Sequence, residues 1–222
     1  MAHVIVSYDG TRNDRDALAL GRLFAKAGAR VSLAYVRHAA EPDPAREAEV
    51  QGEAERLLAA GAGELDGVGV GQHVIVNRST ADGLASLAGE LAADVIAFGS
   101  SYRTPAGRVE LPHTAEQLID QGVACSLALA PAGLRRDPVE QSIGTIGVYD
   151  EDHDEAAQAS AKSLASALGA VVTDEEADLL VVASRAGASS GRLSLSATDR
   201  EQIENAHSPV LALARGTELS FG

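Results

Sequence analysis

Apolar residues in this chain come in short, solid runs, and polar stretches with helical spacing separate them. Val4–Tyr8 is the first run, and it ends in Asp9-Gly10-Thr11, the mark of a buried strand entering a loop. Ala17, Leu20, Phe24 and Ala27 follow at helical spacing, with Asn13 or Asp14 placed to cap the start and Gly28 just past the end. The same reading predicts strands at Val31–Val36, His73–Val76, Val95–Phe98 and Ser126–Ala130. Helices are predicted from Asp43-Pro44 towards Ala60, around Leu84, Leu87, Ala88 and Leu91, and over Thr114–Gln121. Strands that are apolar throughout and alternate with helices imply an α/β fold, an open parallel sheet covered on both faces.

Most of this pattern occurs twice. Asp94–Ala130 aligns without a gap on Asp178–Ala214, both ending in LALA, while Tyr8-Asp9, Leu23 and Gly28-Ala29 recur as Tyr149-Asp150, Leu164 and Gly169-Ala170. The second copy predicts strands Ile143–Tyr149, Ala170–Val172, Leu179–Ala183 and Val210–Ala214, with helices Glu155–Leu168 and Thr198–Ala206. It lacks the second helix, the third strand and most of the third helix. Two domains are therefore expected, a complete one over 1–134 and a truncated one over 142–222, joined by the polar stretch Ala132–Gln141. Thr114-x-x-Gln117 and Thr198-x-x-Glu201 read as capping boxes that open the same helix in each copy. The repeated strands Ser126–Ala130 and Val210–Ala214 are the expected contact between the copies, each covering the other's edge.

Composition narrows the function. Aromatic residues make up only 3%, so the core must be built from Ala, Val, Leu and Ile. A net charge of −14 with no basic run argues against sequence-independent binding to nucleic acid. No apolar stretch approaches a membrane span and the first residues enter a strand at once, so a cytoplasmic, non-membrane protein is expected. Cys125, the sole cysteine, cannot form an internal disulfide and sits in an apolar strand, where a buried inert thiol is expected. The histidines show no zinc spacing, and the acidic run Tyr149–Glu155 lacks the glycine and spacing of a calcium loop, so no metal is expected. Ser7, Ser189 and Ser190 have no base partner evident in the sequence, and no enzymatic activity is predicted.

In an open parallel sheet a ligand sits beyond the carboxyl ends of the strands, where the strand order reverses. With the order 3-2-1-4-5 that crevice lies between the first and fourth strands, at Asp9 and Gly99. A carboxylate there accepts from an amine or amide, a glycine admits close backbone approach, and the following helix start offers free N–H groups. A plainer reading has Asp9 capping a loop and Gly99 turning the chain.

VIVSYDGTRNDRDAL, ADVIAFGSS and GRVELPHTAEQL…CSLALAP, in that order, resemble the universal stress protein family in its opening strand, fourth strand and closing helix and strand. The resemblance implies a five-stranded α/β fold, a role in stress response and dimerisation through the fifth strand, with tandem members forming the pair within one chain. A subset of the family binds ATP through a Gly-x-x-Gly-x(9)-Gly-Ser/Thr loop. By that resemblance Asp9 corresponds to the adenine-side Asp, Val36 to the second-strand contact and Gly99 to the first loop glycine, while Ser100 and Arg108 match common loop positions. The match then breaks, because Tyr102 and Pro112 stand where glycines are expected and His113 where Ser or Thr is expected, with Thr114 one step late. Tyr102 adds bulk and Pro112 removes an N–H, although His113 and Arg108 retain chemistry for an anion. Losing several charge-assisted hydrogen bonds, each worth about 1.5–3 kcal/mol, weakens phosphate binding by orders of magnitude. In the second copy Asp150 survives, but Gly99 is replaced by Ala183, Tyr102 by Ala186 and Pro112-His113 by Ser196-Ala197. The expected function is that of a binding or interaction protein with an internal pseudo-dimer, a degenerate nucleotide pocket and no required cofactor. A homo-oligomer or an unknown protein partner is compatible with it. The alternative is an ATP or AMP sensor working through the first copy.

Overall fold

The solid apolar runs become strands buried on both faces, and the polar stretches between them become the helices that cover those faces. The structure, a computed structural model, describes residues 1–65, 69–136 and 143–222. The first half comprises β1 (His3–Ser7), α1 (Asp14–Lys26), β2 (Arg30–Arg37), α2 (Pro44–Gly63), β3 (Gly71–Val76), α3 (Thr80–Leu91), β4 (Val95–Gly99), α4 (His113–Asp120) and β5 (Ser126–Ala130). After a short 3-10 turn at Leu134–Arg136 come β6 (Thr145–Tyr149), α5 (Glu155–Leu168), β7 (Val171–Thr173), β8 (Leu179–Ala183), α6 (Ala197–Asn205) and β9 (Val210–Leu213). The nine strands of the described residues form one sheet in the order β3-β2-β1-β4-β5-β9-β8-β6-β7, so the first five follow the expected 3-2-1-4-5. Pairing is parallel within each half and antiparallel only where β5 meets β9, with Leu127 opposite Ala212 and Leu129 opposite Val210.

One face of the sheet packs against α1, α2 and α5, through Leu20, Phe24, Leu58 and Leu164. The other packs against α3, α4 and α6, through Leu84, Leu118 and Ile203. α3 packs on α4 in the first half. Among the described residues no helix takes the place of α3 in the second half, and the residue corresponding to buried Leu118 is Gln202. Losing a covering helix has thus been matched by a polar substitution beneath it.

The helix starts correct part of the sequence reading. Asp43 caps α2, accepting from the Ala45 N–H at 2.9 Å, with Pro44 in the first turn. Thr114 and Thr198 cap nothing. α4 already begins at His113 behind Pro112, which has no side chain able to cap it. α6 begins at Ala197, where Ser196 Oγ accepts from the Asp199 N–H at 3.1 Å and Asp199 Oδ2 accepts from the Ser196 N–H at 2.6 Å. The switch from extended to helical backbone falls at Pro112 and Ser196, which puts both threonines inside the first turn, past the capping position.

One buried carboxylate fastens each half, in a similar manner. Asp16, 2% exposed, accepts from the Gly133 N–H (2.8 Å), the Arg135 N–H (3.1 Å) and Arg135 Nη1 (2.9 Å). Asp154 accepts from the Gly216 N–H at 3.1 Å and pairs with Arg215 at 3.5 Å. The start of the predicted linker is therefore bound to α1, with Leu134 buried, while its residues 137–141 lie outside the described residues. The C-terminal residues cross back over the first half. The Gly222 N–H donates to Ala27 O (2.8 Å), the Ala2 N–H to Ser220 O (2.7 Å), and Phe221 stacks on Phe24 at 5.9 Å. Among the described residues no helix is long and apolar enough to cross a membrane.

Candidate functional site

At the carboxyl ends of β1, β2 and β4 the strand order reverses, and the chain leaves a cleft of about 1020 Å³ there. Asp9, Val36, Gly99, Ser100, His113 and Thr114 all line it. Arg108 does not. Its guanidinium donates to His207 Nε2 at 2.8 Å, at the junction of the two halves, so this candidate is corrected from a ligand contact to an interface residue.

The floor of the cleft is the loop from β1 to α1. Gly10 turns it with φ +81, where a side chain would be strained, and a Cβ there would lie 2.5 Å from Leu57 Cδ1. Asp9 Oδ1 and Asp14 Oδ2 both accept from the Thr11 N–H, at 2.9 and 3.3 Å, and Asp14 Oδ2 also accepts from the Asp9 N–H at 2.6 Å. Two carboxyls converging on one donor cannot both ionise cheaply. Burial, reinforced by the neighbouring Asp9, pushes Asp14 up to about 8. Burial acts upward on Asp9 too, but hydrogen bonds from Asp14 and Thr11 outweigh it and hold Asp9 below its ordinary value. Within the pair, burial favours the proton on Asp14, and the hydrogen bonds from Asp14 and Thr11 favour the charge on Asp9. The plainer reading of Asp9 as a loop cap and its place in the cleft thus hold together.

Gly99 and Ser100 are engaged by the chain itself. A Cβ on Gly99 would overlap the Asn13 carbonyl, so the glycine is required by the close passage of the α1 entry. Asn13 Nδ2 then donates to Ser100 O at 2.8 Å instead of capping α1. Ser100, 3% exposed, donates from Oγ to Ala130 O (2.7 Å) and accepts from the Glu110 N–H (3.1 Å), which leaves its hydroxyl committed. Arg37 reaches Glu47 at 2.6 Å and Gln51 at 3.0 Å, tying α2 to the end of β2. That guanidinium, with the Glu41 N–H, holds the Glu47 carboxyl down at about 2. At the rim, His113 is 80% exposed on its side chain, 3.6 Å from Glu116, at the uncapped start of α4. Tyr102, 75% exposed, also lines the rim, with the Arg103 guanidinium 5.1 Å from its ring centroid. Sequence marks Asp14 and Asn13 only as possible helix caps. Asp14 left one usable trace, an acid at a helix start just after an acid at a strand end.

The first half therefore presents an acid pair, a glycine and a helix start at one switch point. The Universal stress protein family matches residues 1–129, the segment that builds this cleft. The chain belongs to that family.

Solved structures agree on the fold. A universal stress protein from Archaeoglobus fulgidus DSM 4304 is similar with a TM-score of 0.70 at 16% identity, over 96% of this chain and 98% of that one. A putative universal stress protein from Pseudomonas aeruginosa UCBPP-PA14 is similar with a TM-score of 0.66 at 14% identity, over 97% and 94%. No curated protein matches the chain well enough to count as a relative.

Within this universal stress protein fold the second half shows what closing the site looks like. Ser184 repeats the bonds of Ser100, donating to Leu213 O at 2.7 Å and accepting from the Ser194 N–H at 3.1 Å. Ala186, in the place of Tyr102, donates its N–H to Asp152 Oδ2 at 2.6 Å, and Asp199 closes the start of α6. A hollow of about 140 Å³ remains, lined by Asp150, Asp152, Ser184 and Asp199. Among the described residues no group of three or more His, Cys, Asp or Glu is placed to hold a metal ion.

Proposed function

We propose that this chain is a non-catalytic binding protein of the stress response, in which the first half keeps a small-molecule cleft and the second half serves as its built-in dimer partner. One contrast carries the reading. In the second half the chain's own carboxylates, Asp152 and Asp199, occupy the loop N–H and the helix start, while in the first half no side chain caps the equivalent helix start beside the cleft. The halves also meet as a two-fold pair would. The Val109 N–H donates to Ala206 O at 3.3 Å and the matching Leu193 N–H to Val123 O at 3.0 Å, each from one half to the helix-to-strand turn of the other, with the acceptors one place out of register. Turnover is not part of the proposal, since Ser100 and Ser184 spend their hydroxyls on backbone carbonyls. Nor is a triphosphate the natural occupant, because Gly99, Ser100 and Arg108 are all engaged within the protein.

A thermal-shift screen of the full-length protein against a metabolite library, repeated on Asp9→Ala and Asp150→Ala, tests the proposal. Hits should vanish in Asp9→Ala and persist in Asp150→Ala. A screen with no hits, or hits lost only in Asp150→Ala, would overturn the assignment of the cleft. Calorimetry with ATP and AMP, with and without Mg²⁺, addresses the second reading, a nucleotide sensor. Micromolar ATP binding abolished by Asp9→Ala would favour that sensor.

A further inference from the structure

Resting on the reading that the first half keeps a ligand cleft, we infer the chemical class of its occupant. It is a ring-bearing molecule, uncharged or cationic, whose hydrogen-bond donors meet Asp9 and Asp14 and whose ring is covered by Tyr102.

Committed donors and balanced charge disfavour the polyanion. The acids lining the cleft are Asp9, Asp14 and Glu41, and the arginines are Arg12 and Arg37. Arg37 is already neutralised by Glu47 at 2.6 Å and Glu41 is paired with Arg46 at 3.6 Å, so Arg12 faces the Asp9–Asp14 pair and the lining holds no surplus of cations. A phosphate chain approaching Gly99 would meet the Asn13 carbonyl, an acceptor, packed against it. It would also find the Ser100 hydroxyl donated to Ala130 O and the Arg108 guanidinium drawn off to His207. Each change replaces a donor that an anion needs by an acceptor or by a committed group. The acid pair offers the opposite chemistry. Asp9 accepts from an amine, amidine or amide, and the Asp14 carboxyl converges with it on the Thr11 N–H.

Tyr102 supplies the ring recognition. The chain has four Tyr and three Phe. Tyr8, Phe24, Phe98 and Phe221 are buried and Tyr35 and Tyr149 half-buried, which leaves Tyr102 as the exposed aromatic, on the rim of this cleft. The corresponding residue of the closed half is Ala186, with no ring. An exposed tyrosine ring, with the Arg103 guanidinium 5.1 Å from its centroid, is a stacking platform for a planar group. The uncapped start of α4 and His113 complete the site with donors for one acceptor on the ligand, such as a ring carbonyl or a hydroxyl.

The experiment is calorimetry on the full-length protein with adenosine, guanosine, cytidine and tyramine, and with the triphosphate of each nucleoside. Because the chain has no Trp, tyrosine emission provides a second readout. At least one uncharged or cationic member should bind, and any nucleoside that binds should do so more than tenfold more tightly than its triphosphate. Tyr102→Ala should weaken that binding about tenfold and Tyr102→Phe should restore it. Asp9→Asn should weaken it while leaving the unfolding midpoint within a degree or two. A triphosphate that binds more tightly than its nucleoside overturns the inferred class and leaves the cleft standing as a binding site. A library screen with Asp9-dependent hits, but no binding anywhere in this panel, also overturns the class. Failure of both the panel and the screen removes the cleft reading itself.

Discussion

A carboxyl group in the unfolded chain gives up its proton near pH 4, yet Asp14 in the folded protein holds it to about 8. Between those values the native state binds more protons than the unfolded state, so stability falls as pH rises across that window. Asp14→Asn keeps an acceptor for the Asp9 N–H and presents an amide donor to Asp9 without a proton to lose. It should raise stability at pH 8 by about 1–2 kcal/mol and flatten the decline between pH 5 and 8, as measured by urea unfolding. A variant with the wild-type slope would show that the pair does not share a proton. The residue scale is also where sequence was least legible. That Cys125 would be buried could be read from the apolar run it opens, although it lies one residue before β5, and burial does push its thiol up to about 12. The protonation of Asp14 could not, because it depends on a loop folding two carboxyls onto the single N–H of Thr11.

At the scale of elements, the strongest apolar runs were read to the residue: Ser126–Ala130, Leu179–Ala183 and helix Glu155–Leu168, which Gly169 ends in a left-handed conformation. Helix starts were harder, because the capping-box pattern fits Thr114 and Thr198 as written and only backbone geometry shows that the helices begin earlier. The passage of α1 over β4 was likewise hidden. Gly99 suggested space for a ligand, and the structure fills that space with Asn13. Gly99→Ala should push the α1 entry away from β4, lower stability by about 1–3 kcal/mol and disturb Asp9 together with it. Chemical denaturation, with the amide shifts of residues 9 to 14 as a local report, checks both parts.

For the molecule as a whole, the repeated LALA strands announced themselves in sequence, and they pair antiparallel at the centre of the nine-stranded sheet. What could not be read was the fate of the paired arginines. Arg108 and Arg192 occupy matching positions, and each reaches into the opposite half, to His207 at 2.8 Å and to Gly122 O at 2.6 Å. A repeat alignment shows that two residues correspond but not that both cross a seam. Arg108→Ala should therefore cost about 1 kcal/mol of stability without changing affinity for any cleft ligand. A loss of ligand affinity at unchanged stability would return Arg108 to the cleft.

The reversal at β5 and β9 also fixes the molecule's outward bearing. Strands of the two halves point opposite ways, so the mouth of the open cleft and the small acid-lined hollow lie on opposite rims of a single slab. A body resting along one rim meets a receptive mouth beside the blunt beginnings of the other half's strands. Turned over, it meets a shut door, and the protein is two-sided in a way that a symmetric pair of full domains would never be.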